Sequence, residues 1–180
     1  KKVIVTGAGG NLGAEICRGL TAMGASVLAT DVAVEKGQAI VEELTAAGAT
    51  AHFLEHDVTD EAQWEAAVAT AIEKLDGLNG VINNAAIVPM NYLADLEVEE
   101  YNRVLNDNVT GSMLGCKHGF RAMQPGGPAG KGGSIINMSS VMGLAGTIAL
   151  ASYNSSKGAV RLLTKSVAAE CAMLKTGIRC

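Results

Sequence analysis

A chain of 180 residues has the length of a single domain, at roughly 150 residues per domain. With 48% apolar and only 18% charged residues, it carries enough core material to exclude a disordered segment. A net charge of −4 without any block of Lys or Arg gives no footprint for nucleic acid or an anionic membrane surface. No stretch approaches the roughly 18 apolar residues of a membrane span. Lys1–Thr6 runs into glycines rather than into a signal-peptide core, so nothing suggests export. Cys17, Cys116, Cys171 and Cys180 show no CxxC pairing and lie in helical or terminal stretches. They are expected to be reduced thiols packed as small apolar groups, which fits a cytoplasmic location.

Short β-branched runs alternate with longer helical patterns along the chain. Strands are expected at about 2–6, 26–30, 50–55, 78–83 and 132–138, and helices near 12–23, 34–47, 60–75, 97–105, 108–123 and 152–174, with Asp60 capping the third helix. This alternation predicts an α/β fold: a single Rossmann-type domain over 1–180, with a doubly wound parallel sheet between helices in three αβα layers. The abundant glycines fit tight turns and close backbone approaches. Val160, Leu163, Val167, Cys171 and Leu174 form an apolar stripe on the last helix that faces the sheet or a second subunit, the sheet being the safer expectation. Gln124–Gly133 is a turn-rich surface loop, and Gly177–Cys180 opens like a sixth strand.

Thr6-Gly7-Ala8-Gly9-Gly10-Asn11-Leu12-Gly13 lies between the first strand and the first helix. Side-chain-free positions there let the backbone approach a pyrophosphate, whose charge sits on unpaired N–H groups at the helix N-terminus. Asp31 ends the second strand at the distance where a carboxylate accepts both adenosine ribose hydroxyls and repels a 2′-phosphate, favouring NAD over NADP. Lys131 after Gly130 is not a P-loop lysine, because Pro125 and Gly132 occupy the positions that would need Gly and Ser or Thr. Tyr153 and Lys157 stand four residues apart and share one helix face. A phenol ionises near 10 in water, so acid/base work near neutrality needs roughly 4 kcal/mol of help to the phenolate, which an adjacent ammonium is suited to give. Ser140 emerges from the strand Ser134–Ser139 thirteen residues before Tyr153, at the C-terminal sheet edge. It is preferred to Ser139 because adjacent side chains leaving a strand point to opposite faces. His52, His56 and His118 lack metal-ligand spacing, and no metal site is expected. Trp64 is expected to be a helix contact, while Met90 and Met142 follow strand ends where they either line an apolar pocket or simply pack.

Taken together, the glycine motif, Asp31, Asp57-Val58, Asn83-Asn84-Ala85, Asn108, Ser140 and the Tyr153/Lys157 pair resemble the short-chain dehydrogenase/reductase family over the whole chain. The resemblance implies NAD held by Gly7, Asn11, Leu12, Gly13, Asp31, Asp57, Val58, Asn84, Tyr153 and Lys157, with Asp57 and Val58 flanking adenine and Asn84 near the ribose. It implies reversible hydride transfer between a secondary alcohol or ketone and the nicotinamide. Tyr153 would be the general acid/base, Lys157 its electrostatic partner, Ser140 the polariser of the carbonyl, and Asn108 the holder of a relay water. Likeness to hydroxysteroid-type members and the apolar residues after Ser140 point to a hydrophobic or cyclic alcohol. A homodimer or homotetramer built on helices 108–123 and 152–174 is implied as well. Two departures stand out. Asn11 replaces a glycine usual in the main branch, where a left-handed conformation would let Asn substitute, and Ala86 replaces the glycine usual after Asn-Asn-Ala. Gly7, Gly10 and Gly13 also fit the extended branch of nucleotide-sugar epimerases and dehydratases, and a catalytically silent NAD-binding protein is a further alternative. Members run to roughly 250 residues, so the chain is expected to be a shortened version of a longer enzyme.

Overall fold

The computed structural model describes every residue, Lys1–Cys180. Its strands are β1 (Lys2–Thr6), β2 (Ser26–Asp31), β3 (Ala51–Glu55), β4 (Gly80–Asn83), β5 (Gly133–Asn137) and β6 (Ile178–Arg179). Its helices are α1 (Asn11–Ala22), α2 (Val34–Ala46), α3 (Glu61–Leu75), α4 (Val98–Leu105), α5 (Gly111–Met123) and α6 (Ala151–Met173). All strand pairs are parallel, in the order β3-β2-β1-β4-β5-β6. This is the doubly wound Rossmann order. The expected sixth strand pairs Gly133 with Ile178 and Ser134 with Arg179.

Strand periodicity divides the core between two layers. Val3, Val5, Val27, Ala29 and Ile82 pack with Cys17 and Leu44 beneath α1 and α2. Ile4, Leu28, Val81 and Ile135, from the alternate positions, meet Trp64, Leu114 and Cys171 of α3, α5 and α6. On α6, Val160 and Cys171 are buried and Leu163 and Val167 pack on this second cluster, whereas Leu174 is exposed. The apolar stripe therefore faces the sheet except at its C-terminal end. Cys17, Cys116 and Cys171 are buried free thiols and Cys180 is half-buried. Asp60 caps α3, accepting from the N–H groups of Ala62 (2.8 Å) and Gln63 (3.3 Å).

The two helices expected at 97–105 and 108–123 are joined without a break. Asn106–Thr110 forms a π-type turn in which the Gly111 N–H reaches the Asn106 carbonyl. The additional residue in that turn shifts the helical phase, and Asn108 ends up fully buried.

Two glycines report opposite local demands. A Cβ at Gly115 would lie 1.9 Å from Asn83 Oδ1 and 2.7 Å from Trp64 Cη2, while one at Gly19 would meet nothing within 4 Å. Gly115→Ala is expected to destabilise the fold by about 1–3 kcal/mol through overpacking. Gly19→Ala is expected to stabilise it by about 0.5–1 kcal/mol through helix propensity. Urea unfolding of the two variants checks both signs.

Candidate active site at the C-terminal edge of the sheet

The polypeptide leaves β1 for one face of the sheet and β4 for the other, so a crevice opens at the carboxyl ends of these adjacent strands. Gly7 starts the turn into α1 at φ +66°, and the Gly10 N–H closes it on the Gly7 carbonyl at 3.2 Å. A Cβ on Gly13 would sit 2.1 Å from that carbonyl oxygen, so only glycine fits. No side chain caps α1 and its first turn has no acidic residue. The N–H groups of Asn11, Leu12 and Gly13 thus lack helical acceptors and suit an anion. Asn11 is the first helical residue of α1 and is not among the positive-φ positions. The left-handed conformation expected there is not used; its side chain is simply exposed.

A latch joins the turn to β4. The Asn84 and Ala85 N–H groups both donate to Thr6 Oγ1 (3.0 and 3.1 Å). Asn84 Nδ2 donates to the carbonyls of Thr6 (2.9 Å) and Gly7 (3.2 Å). Across the turn, Asp31 Oδ2 accepts from the Gly9 N–H and Oδ1 from the Ala33 N–H, both at 2.8 Å. The carboxylate is therefore fixed in orientation, and each oxygen keeps a lone pair for a further donor. Asp57 Oδ1 is tied to Thr59, leaving Oδ2 free. Val58 packs against Gly111 and takes the Trp64 indole N–H on its carbonyl (2.9 Å). His56 packs edge-on against Trp64 and contacts Thr30 Oγ1, and burial pushes its pKa down to about 4. It is neutral at physiological pH.

These groups line one cavity of about 670 Å³ together with Asn84–Val88, Met138, Ser139, Tyr153 and Lys157. A glycine cradle with free N–H groups, an anchored carboxylate and an apolar floor fit a dinucleotide: the N–H groups of α1 would hold its phosphates, and Tyr153 and Lys157 would stand by its reactive ring.

Tyr153 sits in the first turn of α6 and is half-buried. Lys157 follows one turn later at only 4% exposure. Its Nζ lies 5.6 Å from the Tyr153 ring centroid and donates to the Met138 carbonyl at 2.7 Å. No carboxylate pairs with it, and burial lowers its pKa to about 8. Ser140 Oγ accepts from the Met142 N–H (3.1 Å) at the start of a short 3-10 turn, which leaves its own proton free to donate. Ser140 does not line the cavity; its neighbour Ser139 does, with its hydroxyl committed to the Lys157 carbonyl at 2.9 Å. Asn108 Oδ1 accepts from the Ile87 N–H (2.8 Å), and Nδ2 donates to the Ile87 carbonyl (3.0 Å) and to Ser156 Oγ (2.9 Å). Both amide hydrogens are spent within the protein, and the Asn108 main-chain carbonyl accepts from Ser112 Oγ at 2.7 Å. Ser156 Oγ donates in turn to the Tyr153 carbonyl at 2.8 Å. Asn108 thereby ties the β4 loop to the first turn of α6. The sequence reading missed Ser156, although it lies inside the Tyr153–Lys157 segment, and it missed Lys36 and Asp107 on the cavity wall, which no spacing signals.

The Lys157 shift sets a linkage. Its folded pKa of about 8 lies below the value near 10.4 of an unfolded lysine, so between those limits the unfolded chain binds more protons and the Lys157 contribution to stability rises with pH. In cofactor-free protein, wild type should gain stability relative to Lys157→Met as pH is raised from about 7.5 to about 10. Parallel denaturant titrations of both proteins measure that difference.

The model of the family "short chain dehydrogenase" matches residues 1–180. The 3-alpha-(or 20-beta)-hydroxysteroid dehydrogenase of Mycobacterium tuberculosis is 41% identical over 170 residues, covering 94% of this chain and 63% of that protein. The cyclopentanol dehydrogenase of Comamonas testosteroni is 39% identical over 172 residues, covering 96% and 67%. This chain thus spans about two thirds of the length of these relatives. A crystal structure of a short-chain type dehydrogenase/reductase from Mycobacterium marinum superposes with a TM-score of 0.93 at 30% identity, covering 99% of this chain and 71% of the other. Fold, site geometry and sequence agree, and the chain belongs to the short-chain dehydrogenase family.

Proposed function

We propose that this protein is an NAD-dependent oxidoreductase that interconverts a secondary alcohol and its ketone. The observation that carries the reading is one cavity holding both the glycine cradle with Asp31 and the Tyr153/Lys157 pair. When bound, the nicotinamide ring accepts or returns hydride at its C4 carbon. In the oxidation direction, Tyr153 Oη takes the hydroxyl proton of the alcohol as the carbinol hydrogen leaves as hydride. In the reduction direction it returns that proton to the ketone oxygen. Lys157 opposes the cost of a phenolate with its buried ammonium, and its remaining N–H donors serve the nicotinamide ribose. Ser140, just outside the cavity wall, keeps an uncommitted O–H that would donate to the substrate oxygen. Asp31 accepts from the adenosine ribose hydroxyls, while Asp57 and Val58 hold the adenine edge and face. Asn108 acts through its tie to Ile87 and Ser156.

The substrate is a hydrophobic or cyclic alcohol. Val88, Met90, Val141, Leu144 and Ile148 expose apolar side chains on the loops after β4 and β5, and the relatives named above include steroid and cyclopentanol dehydrogenases. Exposed Leu162 and Met173 on α6 and Met113 on α5 support a homodimer or homotetramer built on these helices. No helix is long and apolar enough to cross a membrane, and unpaired thiols suit a reducing, cytoplasmic compartment.

Tyr153→Phe should cost at least about 100-fold in kcat and leave the Kd for NAD within a few-fold, as read from reduced-cofactor absorbance and binding calorimetry. A variant retaining a tenth of wild-type activity overturns the mechanism. NAD binding without turnover on steroid, cyclic and acyl substrates supports a silent protein, and turnover of nucleotide sugars alone supports the extended branch. Asp31→Ala should weaken NAD and narrow the preference over NADP; unchanged selectivity refutes the role given to this carboxylate.

A further inference from the structure

Ser139 lines the active-site cavity, but its hydroxyl proton is committed within the protein. Its Oγ is 2.9 Å from the main-chain carbonyl oxygen of Lys157, to which it donates. The same residue's ammonium returns to the preceding carbonyl, that of Met138, at 2.7 Å. Two hydrogen bonds thus link one strand-end dipeptide to one helical residue, the first through that residue's backbone and the second through the tip of its side chain. Together they close a ring that fixes both ends of a long, flexible side chain, whose rotamer freedom otherwise opposes any single position. The packing around the ring leaves no slack. A Cβ at Gly143 would stand 2.7 Å from the Lys157 carbonyl oxygen and 2.9 Å from Ser139 Oγ. On the other side, Asn108 reaches the Tyr153 carbonyl through Ser156. The two grips hold carbonyls of Tyr153 and Lys157, one helical turn apart.

We propose that Ser139 is a positioning residue, whose hydroxyl fixes the backbone of Lys157 so that the ammonium docks at the Met138 carbonyl and faces Tyr153. This role is separate from that of Ser140, and it rests on the reading of Tyr153 and Lys157 as the acid/base pair. Without the Ser139 hydroxyl, the start of α6 is free to drift from the end of β5, and Lys157 swings toward water. Misplacement on the ångström scale is costly to catalysis.

Three proteins at full length test this: Ser139→Ala, Ser139→Thr, which keeps the hydroxyl, and Ser155→Ala, a control whose exposed hydroxyl serves only the Ala151 carbonyl of its own helix. Two readouts are used. The first is the rate at which acetic anhydride acylates Lys157 in cofactor-free protein, followed by peptide mass. The second is the pH profile of alcohol oxidation. Ser139→Ala should raise the acylation rate and lower kcat about tenfold or more, with the KM for NAD changed only a few-fold. It should also move the rising limb of the profile to higher pH, because a withdrawn ammonium favours the phenolate less. The other ionisable groups lining the cavity, Asp31, Lys36, His56, Asp57 and Asp107, are the same in every variant. Ser139→Thr and Ser155→Ala should match wild type in both readouts. A Ser139→Ala protein with unchanged Lys157 acylation and an unmoved profile overturns the proposal, even if it melts lower. If Ser139→Ala does not fold, Ser139→Cys, close in size but a much weaker donor, decides: faster acylation and a displaced profile support the proposal and wild-type values overturn it. Wild-type protein without turnover, paired with faster acylation in Ser139→Ala, would refute the proposed function and leave the positioning role standing.

Discussion

A lysine ammonium buried without a carboxylate partner is the constraint around which this molecule is arranged. Lys157 has one acceptor from the protein, the Met138 carbonyl, and its desolvation is not repaid by an ion pair. Folding tolerates this only because the surrounding elements hold the cation from several sides. The end of β5 supplies the acceptor, and α6 supplies the backbone. Asn108 reaches across from the π-type turn to steady the first turn of α6 through Ser156. What the ammonium lacks in the cofactor-free protein is negative charge and hydrogen-bond acceptors. Under the proposed function, a phenolate on Tyr153 and the hydroxyls of a ribose would supply them.

The other half of the cavity is built on a different principle. There the backbone provides the polar groups and glycine provides the access, with Asp31 and Asn84 as braces. Thr6 Oγ1 accepts two N–H groups from the start of the β4 loop, which ties the glycine turn to the segment bearing Ile87. Ile87 in turn is clasped by Asn108. A continuous chain of hydrogen bonds therefore runs from the phosphate cradle through the β4 loop to α6. It fixes the glycine turn relative to the Tyr153/Lys157 pair.

Much of this was legible in the sequence because it depends on local pattern. Alternating strand and helix periods gave the layers, and the last four residues declared a sixth strand. A glycine turn placed between strand and helix, followed by Asp31 at the next strand end, marked the cradle. Tyr153 and Lys157 advertised a shared helix face by spacing alone. The remainder depends on contacts distant in sequence. Asn108 meets Ile87 across 21 residues and Ser156 across 48, and no periodicity shows that its amide is consumed by them. The π-type turn disguised one joined helical run as two, since a single additional residue breaks the 3.6 period without breaking the helix. At Asn11 the sequence suggested a left-handed residue, but the helix had already begun there and the only positive φ in the turn belongs to Gly7. Strand alternation favoured Ser140 over Ser139 for the cavity, yet it is Ser139 that lines it, and nothing local indicated that its hydroxyl would be taken up by a carbonyl on α6.

The central claim is that this sheet edge carries hydride directly between a carbinol carbon and a nicotinamide ring while Tyr153 handles the proton. The most direct measurement uses full-length protein, NAD and a cyclic secondary alcohol deuterated at the carbinol carbon, with the reduced cofactor recovered and its C4 position read by NMR. The account predicts one deuteron at C4, on a single face of the ring, with none delivered from deuterated solvent when unlabelled alcohol is used. Reduced cofactor that carries solvent deuterium at C4, or no reduced cofactor despite bound NAD, would contradict it.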